Sequence, residues 1–291
     1  MKASKLIGDA VERARENRAN RLKELRARDR LAPSLKDYDR NVTKLGKAGE
    51  AQAKAMAHIT EVFLGGYETV KLQIAKAGKT GIGATNAIKR SAGTNFQGLC
   101  EYAILTWLDT TDLPINVGPN APKGMKDELT IYGLDTGGEF KVEPDIDICL
   151  WEEGGTEKSP IIFVSAKTSL VDRAGQAARW KLYLDLHQTS CPHTASVHDC
   201  PIHRTRVKIF TKHPIVHSIV TANIYKMDTT QPHGELTSGQ CRNNTYMFKH
   251  KFTTRRDSKE VRPAGWSSFS DFTAVVRQTF MHQKSLQVAS G

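Results

Sequence analysis

Two short segments, residues 142–150 (VEPDIDICL) and 161–167 (IIFVSAK), constrain this chain more than any other feature. In the first, Asp145 and Asp147 alternate with Ile146, Ile148 and Leu150, which is the period of a strand. The second is an unbroken run of β-branched, aromatic and small residues that ends on Lys167. Between them lies the charged turn sequence WEEGGTEKSP, so the two form either a β-hairpin or neighbouring strands. Side chains two apart on a strand point the same way, which puts Asp145 and Asp147 on one face. Acids inside an apolar strand are costly unless a cation meets them. Two carboxylates and a lysine on adjacent strands can hold Mg²⁺, which neutralises a phosphodiester and activates a water that the lysine positions or deprotonates. The plainer alternatives are that the aspartates flank a turn and that Lys167 is a solvated strand end.

The rest of the composition narrows the partner. A formal charge of +11 and a pI near 9.4 favour a polyanion, nucleic acid before a membrane surface. With 39% hydrophobic and 25% charged residues the chain reads as globular. It has no apolar run of about 18 residues and no apolar signal-peptide core, so the expected location is cytoplasmic, with no membrane partner. Five scattered cysteines, an odd number, point to reduced thiols and not to a disulfide framework.

The first 75 residues read as a helical region able to supply DNA or subunit contacts. A charged helix over the first thirty residues ends before Pro33 and Ser34, and a second helical stretch over 37–63 is broken by Gly65-Gly66. Arg21, Arg26 and Arg28 give the first helix a basic face, for DNA or merely for solvent. Residues 76–95, rich in Gly, Ala, Thr and Lys, are expected as a loop leading into a helix, FQGLCEYAILTWL. Gly78-Lys79-Thr80 is no phosphate loop, because the glycine such a loop needs further upstream is Gln73. A helix near 174–187 and an apolar strand near 215–225 complete a β–β–α–β pattern. The expected fold is an α/β nuclease domain over 76–291, a mixed β-sheet flanked by helices, following the helical N-terminal region. An insertion at 190–204 (CPHTASVHDCPIH and its flanks) carries a candidate structural Zn²⁺ site in Cys191, His198, Cys200 and His203.

Pro144-Asp145 together with Ser165-Ala166-Lys167 resembles the signature of the PD-(D/E)xK nucleases. The continuation Lys167-Thr168-Ser169-Leu170-Val171-Asp172-Arg173 is similar to the K-[TV]-S-[IL]-x-[DE]-R segment of the CCGG-cutting type II restriction endonucleases of the BsaWI and AgeI kind. Upstream, Lys89-Arg90-Ser91-Ala92-Gly93 followed by Phe96 resembles that group's K-[KR]-S-[SA]-G-x-x-F. The resemblance covers residues 89–179 and implies a restriction-endonuclease-like core, Mg²⁺ as cofactor, double-stranded DNA as substrate, and catalytic roles for Asp145, Lys167 and Ser165. It also departs from the group's pattern. A glutamate is often found just after that Phe, or fourteen residues after the lysine, where this chain has Gln97 and Lys181. Glu101, one helical turn beyond Gln97, is the candidate replacement, beside Asp145 and Asp147, as a Mg²⁺ ligand; the plainer alternative is an exposed helix glutamate.

Asp172 and Arg173 follow the catalytic strand, where Arg can pair with guanine O6 and N7 and Asp can accept from cytosine N4. The resemblance assigns them that use, which points to CC/GG within the target; an ion pair at the surface is the plainer alternative. Ser169, Arg179, Lys89 and Arg90 join them as expected DNA contacts. A symmetric target needs two active sites, so a homodimer or homotetramer is expected, leaving 5′-phosphates and working within a restriction-modification system. Two other readings stay open at this point, a structure-dependent repair or junction nuclease and a DNA-binding protein without catalysis.

Overall fold

The computed structural model describes residues 2–46, 48–78, 80–119, 121–135, 138–142, 146–170, 174–188, 212–223, 245–255 and 265–289. The candidate zinc cysteines and histidines, together with Asp145, Asp172 and Arg173, lie outside these residues.

Five helices come first: α1 (Lys2–Arg26), α2 (Ala32–Leu45), α3 (Glu50–Met56), α4 (Ile59–Lys76) and α5 (Gly81–Leu108). Strand β1 (Ile115–Gly118) follows, then α6 (Lys123–Leu129) and the strands β2 (Ile131–Asp135) and β3 (Gly138–Val142). Strands β4 (Ile148–Glu152) and β5 (Ile161–Lys167) precede α7 (Ala174–Gln188). The chain closes with β6 (Ile215–Thr221), β7 (His250–Thr253), β8 (Ser267–Ser268), a 3-10 turn and α8 (Phe272–Ala289). The main sheet runs β1-β4-β5-β6-β7-β8, while β2 and β3 form a separate antiparallel pair. Strands β1, β4 and β5 pair antiparallel, and β5 through β8 pair parallel, which makes the expected mixed sheet.

Helices cover both faces, and the strands alternate accordingly. Leu150, Ile162, Val164, Ala166 and Val220 pack into one large cluster with Phe96, Leu99 and Cys100 of α5 and with Phe272, Val276 and Phe280 of α8. Cys149, Ile161 and Phe163 point the other way, onto Trp180 and Leu184 of α7. Helices α1 to α4 contribute Leu22, Leu25, Leu35, Met56 and Phe63 to the large cluster, so the N-terminal helices and the sheet share one apolar core. Full burial of each such side chain stabilises by roughly 1.5–3 kcal/mol.

Several helix boundaries differ from the sequence reading. Pro33 opens α2 instead of closing α1, since proline lacks only an N–H that the first helical turn leaves unpaired. Gly65-Gly66 does not stop α4, because Gly66 is there for close packing: a Cβ on it would fall 1.9 Å from Ser34 Oγ of α2. The expected loop at 76–95 is helical from Gly81 onward, so α5 reaches well beyond the core. Asp147 lies in a bend just ahead of β4 and not within a strand, and the alternation over 142–150 is divided between β3 and β4.

Helix α1 is tied down by its arginines. Arg18 is fully buried, donating to the Leu113 carbonyl at 3.3 Å, to the Ile115 carbonyl at 2.8 Å and to Asp109 at 3.0 Å. Arg18→Ala is expected to destabilise by about 1–3 kcal/mol through loss of its buried bond to the Ile115 carbonyl. Asp109→Asn should cost far less, because Asp109 is 38% exposed and its ion pair is screened. Denaturant unfolding of the two variants checks the order; equal losses would contradict it.

Candidate active site

The β4–β5 hairpin brings the ionisable groups to one end of the sheet. Its turn is made by Gly154, at φ 69°, and is fastened by Ser159 Oγ, which donates to Glu152 at 3.0 Å and accepts from the Thr156 amide at 3.1 Å. The ladder pairs Ile148 with Val164, which leaves Asp147 beside the last residues of β5. There Lys167 Nζ donates to Asp147 Oδ2 at 2.8 Å, and the Ala166 amide donates to the same oxygen at 2.8 Å. Lys167 is 4% exposed and the Asp147 side chain 15%. A solvated strand end is therefore excluded for Lys167, and the pair behaves as a buried ion pair with a backbone bond added.

Helix α5 closes this end of the sheet from the large-cluster side. Gln97 donates through Nε2 to the Asp147 carbonyl, so the residue standing where a glutamate was expected fixes the aspartate's backbone. Burial pushes the Cys100 thiol well above its ordinary pKa, and the nearby Asp147 carboxylate adds to the effect. Glu101 is 1% exposed, which excludes an exposed helix glutamate. Both of its oxygens are held by the Arg21 fork of α1, at 2.6 and 3.0 Å. Residues 80 positions apart make this contact, and nothing in the local sequence announces Arg21 as the partner. Arg26 is likewise engaged within the chain, through the Tyr102 hydroxyl at 2.7 Å. The basic face expected on α1 is thus partly a docking surface for α5.

The opposite side joins Ser165 to a residue that the sequence reading passed over, His217. Ser165, on the same strand face as Lys167, is hydrogen-bonded through Oγ to His217 Nε2 of β6 at 2.9 Å. The His217 ring makes edge contacts with Phe163 and Phe248, and its Nδ1 has no hydrogen-bond partner among the described residues. Burial lowers the His217 pKa to about 3, with the charges of Lys181 and Lys167 contributing. Lys181, at the second position where a glutamate was expected, is ion-paired to Asp185 one turn along α7. The signal for His217 is the polar pair His217-Ser218, set between the apolar pairs Ile215-Val216 and Ile219-Val220.

Of the expected DNA contacts, Lys89, Arg90 and Arg179 are exposed. Ser169 is not: it is 8% exposed, drawn inward beside Leu170, which packs with Ala177, Ile219, Phe248 and Trp266. No group of three or more metal-ligating side chains is assembled among the described residues. Also among them, no helix is long and apolar enough to cross a membrane. Carboxylates such as Asp147 are the ligands taken by a hard cation such as Mg²⁺, which binds through one or two of them and keeps several waters. A family model described as BsaWI restriction endonuclease type 2 matches residues 122–271, just over half the chain, including Asp147, Lys167 and His217 but not α5. No curated protein matches the chain.

The neutral His217 sets an expectation for acid stability. A pKa lowered in the folded state means that the unfolded chain takes up the proton first. The stability associated with neutral His217 is complete above its ordinary pKa of 6.5 and is lost progressively as pH falls from there toward about 3. His217→Gln should flatten this dependence in thermal melts between neutral and mildly acidic pH; an unchanged slope would contradict the assignment.

Proposed function

The chain belongs to the BsaWI restriction endonuclease type 2 family, site-specific deoxyribonucleases, and from that premise we propose that it cuts both strands of duplex DNA in a Mg²⁺-dependent reaction. The target in this reading contains CC/GG, the products carry 5′-phosphates, and the working unit is a homodimer or homotetramer with two active sites on a symmetric sequence. The observation that carries the reading is the buried Lys167–Asp147 pair at the joined ends of β4 and β5.

Asp145, Asp147 and Glu101 are the carboxylates proposed to hold the metal, which would meet at Glu101 a charge that Arg21 also meets. Bound there, Mg²⁺ supplies charge neutralisation at the phosphodiester and activation of a water. Lys167 contributes a fixed ammonium beside the metal ligands. Its donation to Asp147 orients that carboxylate, and its ammonium is the cation proposed to stabilise charge at the phosphate. Gln97 holds the Asp147 backbone, and Ser165, braced by His217, holds the strand end that aims Lys167. Asp172 and Arg173, together with Arg179 of α7, are the proposed base and backbone readers.

Lys167→Ala should reduce cleavage by on the order of 10³-fold or more while largely preserving DNA binding, since Asp147 keeps its bond from the Ala166 amide. Single-turnover cleavage beside a binding titration in Ca²⁺ checks this; wild-type cleavage by the variant would remove the mechanism. Glu101→Gln should raise the Mg²⁺ concentration needed for half-maximal cleavage. A variant that only melts earlier, with the wild-type Mg²⁺ dependence, would show Glu101 to be structural.

A further inference from the structure

Where α4 meets the sheet, one side chain is out of character with its neighbours. Thr60 stands in the first turn of α4 between Ile59 and Val62, both part of the large apolar cluster, and is itself 1% exposed. Valine has the same shape and would fill the position without a polar atom, whereas a hydroxyl is costly there unless it is hydrogen-bonded. It is bonded twice. Thr60 Oγ1 donates to the Ala222 carbonyl at 3.0 Å, and it lies 2.7 Å from Thr254 Oγ1. A hydroxyl has one hydrogen, so in the second bond Thr254 is the donor. The Thr60 amide, which the first turn of a helix leaves without an intrahelical partner, donates to the Thr254 carbonyl at 3.3 Å.

These bonds converge on the end of the strand that carries Lys167. The parallel ladder sets Lys167 opposite Thr221 and Thr221 opposite Thr253, and just past that rung the Ala222 amide donates to the Lys167 carbonyl at 3.2 Å. The Thr254 amide donates to the Thr221 carbonyl at 3.0 Å. The peptide unit between Thr221 and Ala222 is planar and rigid, so its carbonyl, held by Thr254, and its N–H, which holds Lys167, move together. Thr60 grips this unit from both sides, through Thr254 and through the Ala222 carbonyl. Beyond it the backbone leaves the sheet direction at once, with Asn223 in the left-handed region at φ 50°. The end of a ladder is where strands fray, and here the frayed rung would be the one that fixes the lysine backbone.

We propose, on the reading of the chain as a nuclease centred on Lys167, that Thr60 is a positioning residue for that lysine. Its hydroxyl locks the ends of β6 and β7 together and thereby sets the backbone from which the Lys167 side chain departs. The hold acts from the large-cluster side of the sheet, while Ser165 and His217 act from the α7 side. Through Thr60 the helical N-terminal region contributes to the catalytic geometry itself, a task apart from DNA contact or subunit contact.

The test compares Thr60→Val and Thr60→Ser with the parent, all as the full chain and well below their melting temperatures. In single-turnover cleavage in Mg²⁺ of a duplex whose CCGG-containing site the parent cuts, Thr60→Val should be slower on the order of 10- to 100-fold, the scale of a misplaced reacting group. Its affinity for the same duplex in Ca²⁺ should be unchanged, and Thr60→Ser, which keeps the hydroxyl, should recover most of the rate. Amide exchange at Ala222 should quicken about tenfold in Thr60→Val, with exchange in the middle of β5 unaltered. A parent-like cleavage rate in Thr60→Val would overturn the role whatever its melting temperature, as would a loss of rate that serine does not restore or a loss of rate and binding together. Should Thr60→Val not fold, Thr254→Val leaves Thr60 in place and takes away the hydrogen it accepts; several-fold slower cleavage is expected, and the parent rate would overturn the role. A parent chain that cleaves no duplex removes the nuclease reading and this role with it, and exchange at Ala222 tells that failure apart from failure of the hold.

Discussion

A lysine buried at the end of a strand is the constraint on which the rest of this structure turns. Lys167 finishes a seven-residue run that is buried throughout, and its ammonium can be held there only if an anion and further hydrogen-bond acceptors come to it. Asp147 meets it, and the hairpin register, the bend before β4 and the Gln97 bond all serve to bring that one carboxylate into place. Removing one partner of such a buried pair typically costs about 3–5 kcal/mol, so the active centre and the stability of the hairpin are coupled.

The same balance recurs one layer out. Glu101 is buried on α5, and its charge is met by Arg21 from α1, which ties the N-terminal helix to the helix that carries Gln97. Arg18, buried three residues earlier, fastens the same helix to the start of β1. Helix α1 is therefore part of the support of the candidate active site, and its arginines are engaged within the chain. A net charge of +11 does not by itself map a nucleic-acid surface; the cations that matter for a phosphate backbone are those left without internal partners.

The sequence carried the centre of the fold well. The runs 148–150 and 161–167, the helix near 174–187 and the strand from 215 were legible because each is largely apolar and is bounded by turn residues, while Trp151 and Glu152, read as part of the turn, extend β4. The family likeness around Lys167 was legible for a related reason, since its residues are contiguous. What escaped notice depends on distance or on exposure. The first part of α5 has no apolar face to betray it, because it packs on little and is rich in Gly, Ala and Thr. Gly65-Gly66 resembles a helix breaker locally and is explained only by the approach of Ser34 from α2. Arg21 and His217 reach Glu101 and Ser165 from 80 and 52 residues away, and no spacing rule connects them. Gln97 was seen as a missing glutamate, whereas its amide does something a carboxylate could not, donating to a carbonyl.

The measurement that tests the central claim most directly is incubation of the purified chain with phage-sized duplex DNA, in Mg²⁺ and in EDTA, followed by sequencing of the fragment ends. The account predicts discrete fragments in Mg²⁺ alone, with 5′-phosphate ends that share one short, symmetric sequence containing CC/GG. Random degradation, or DNA left intact in Mg²⁺ by a protein that binds it, would contradict the account.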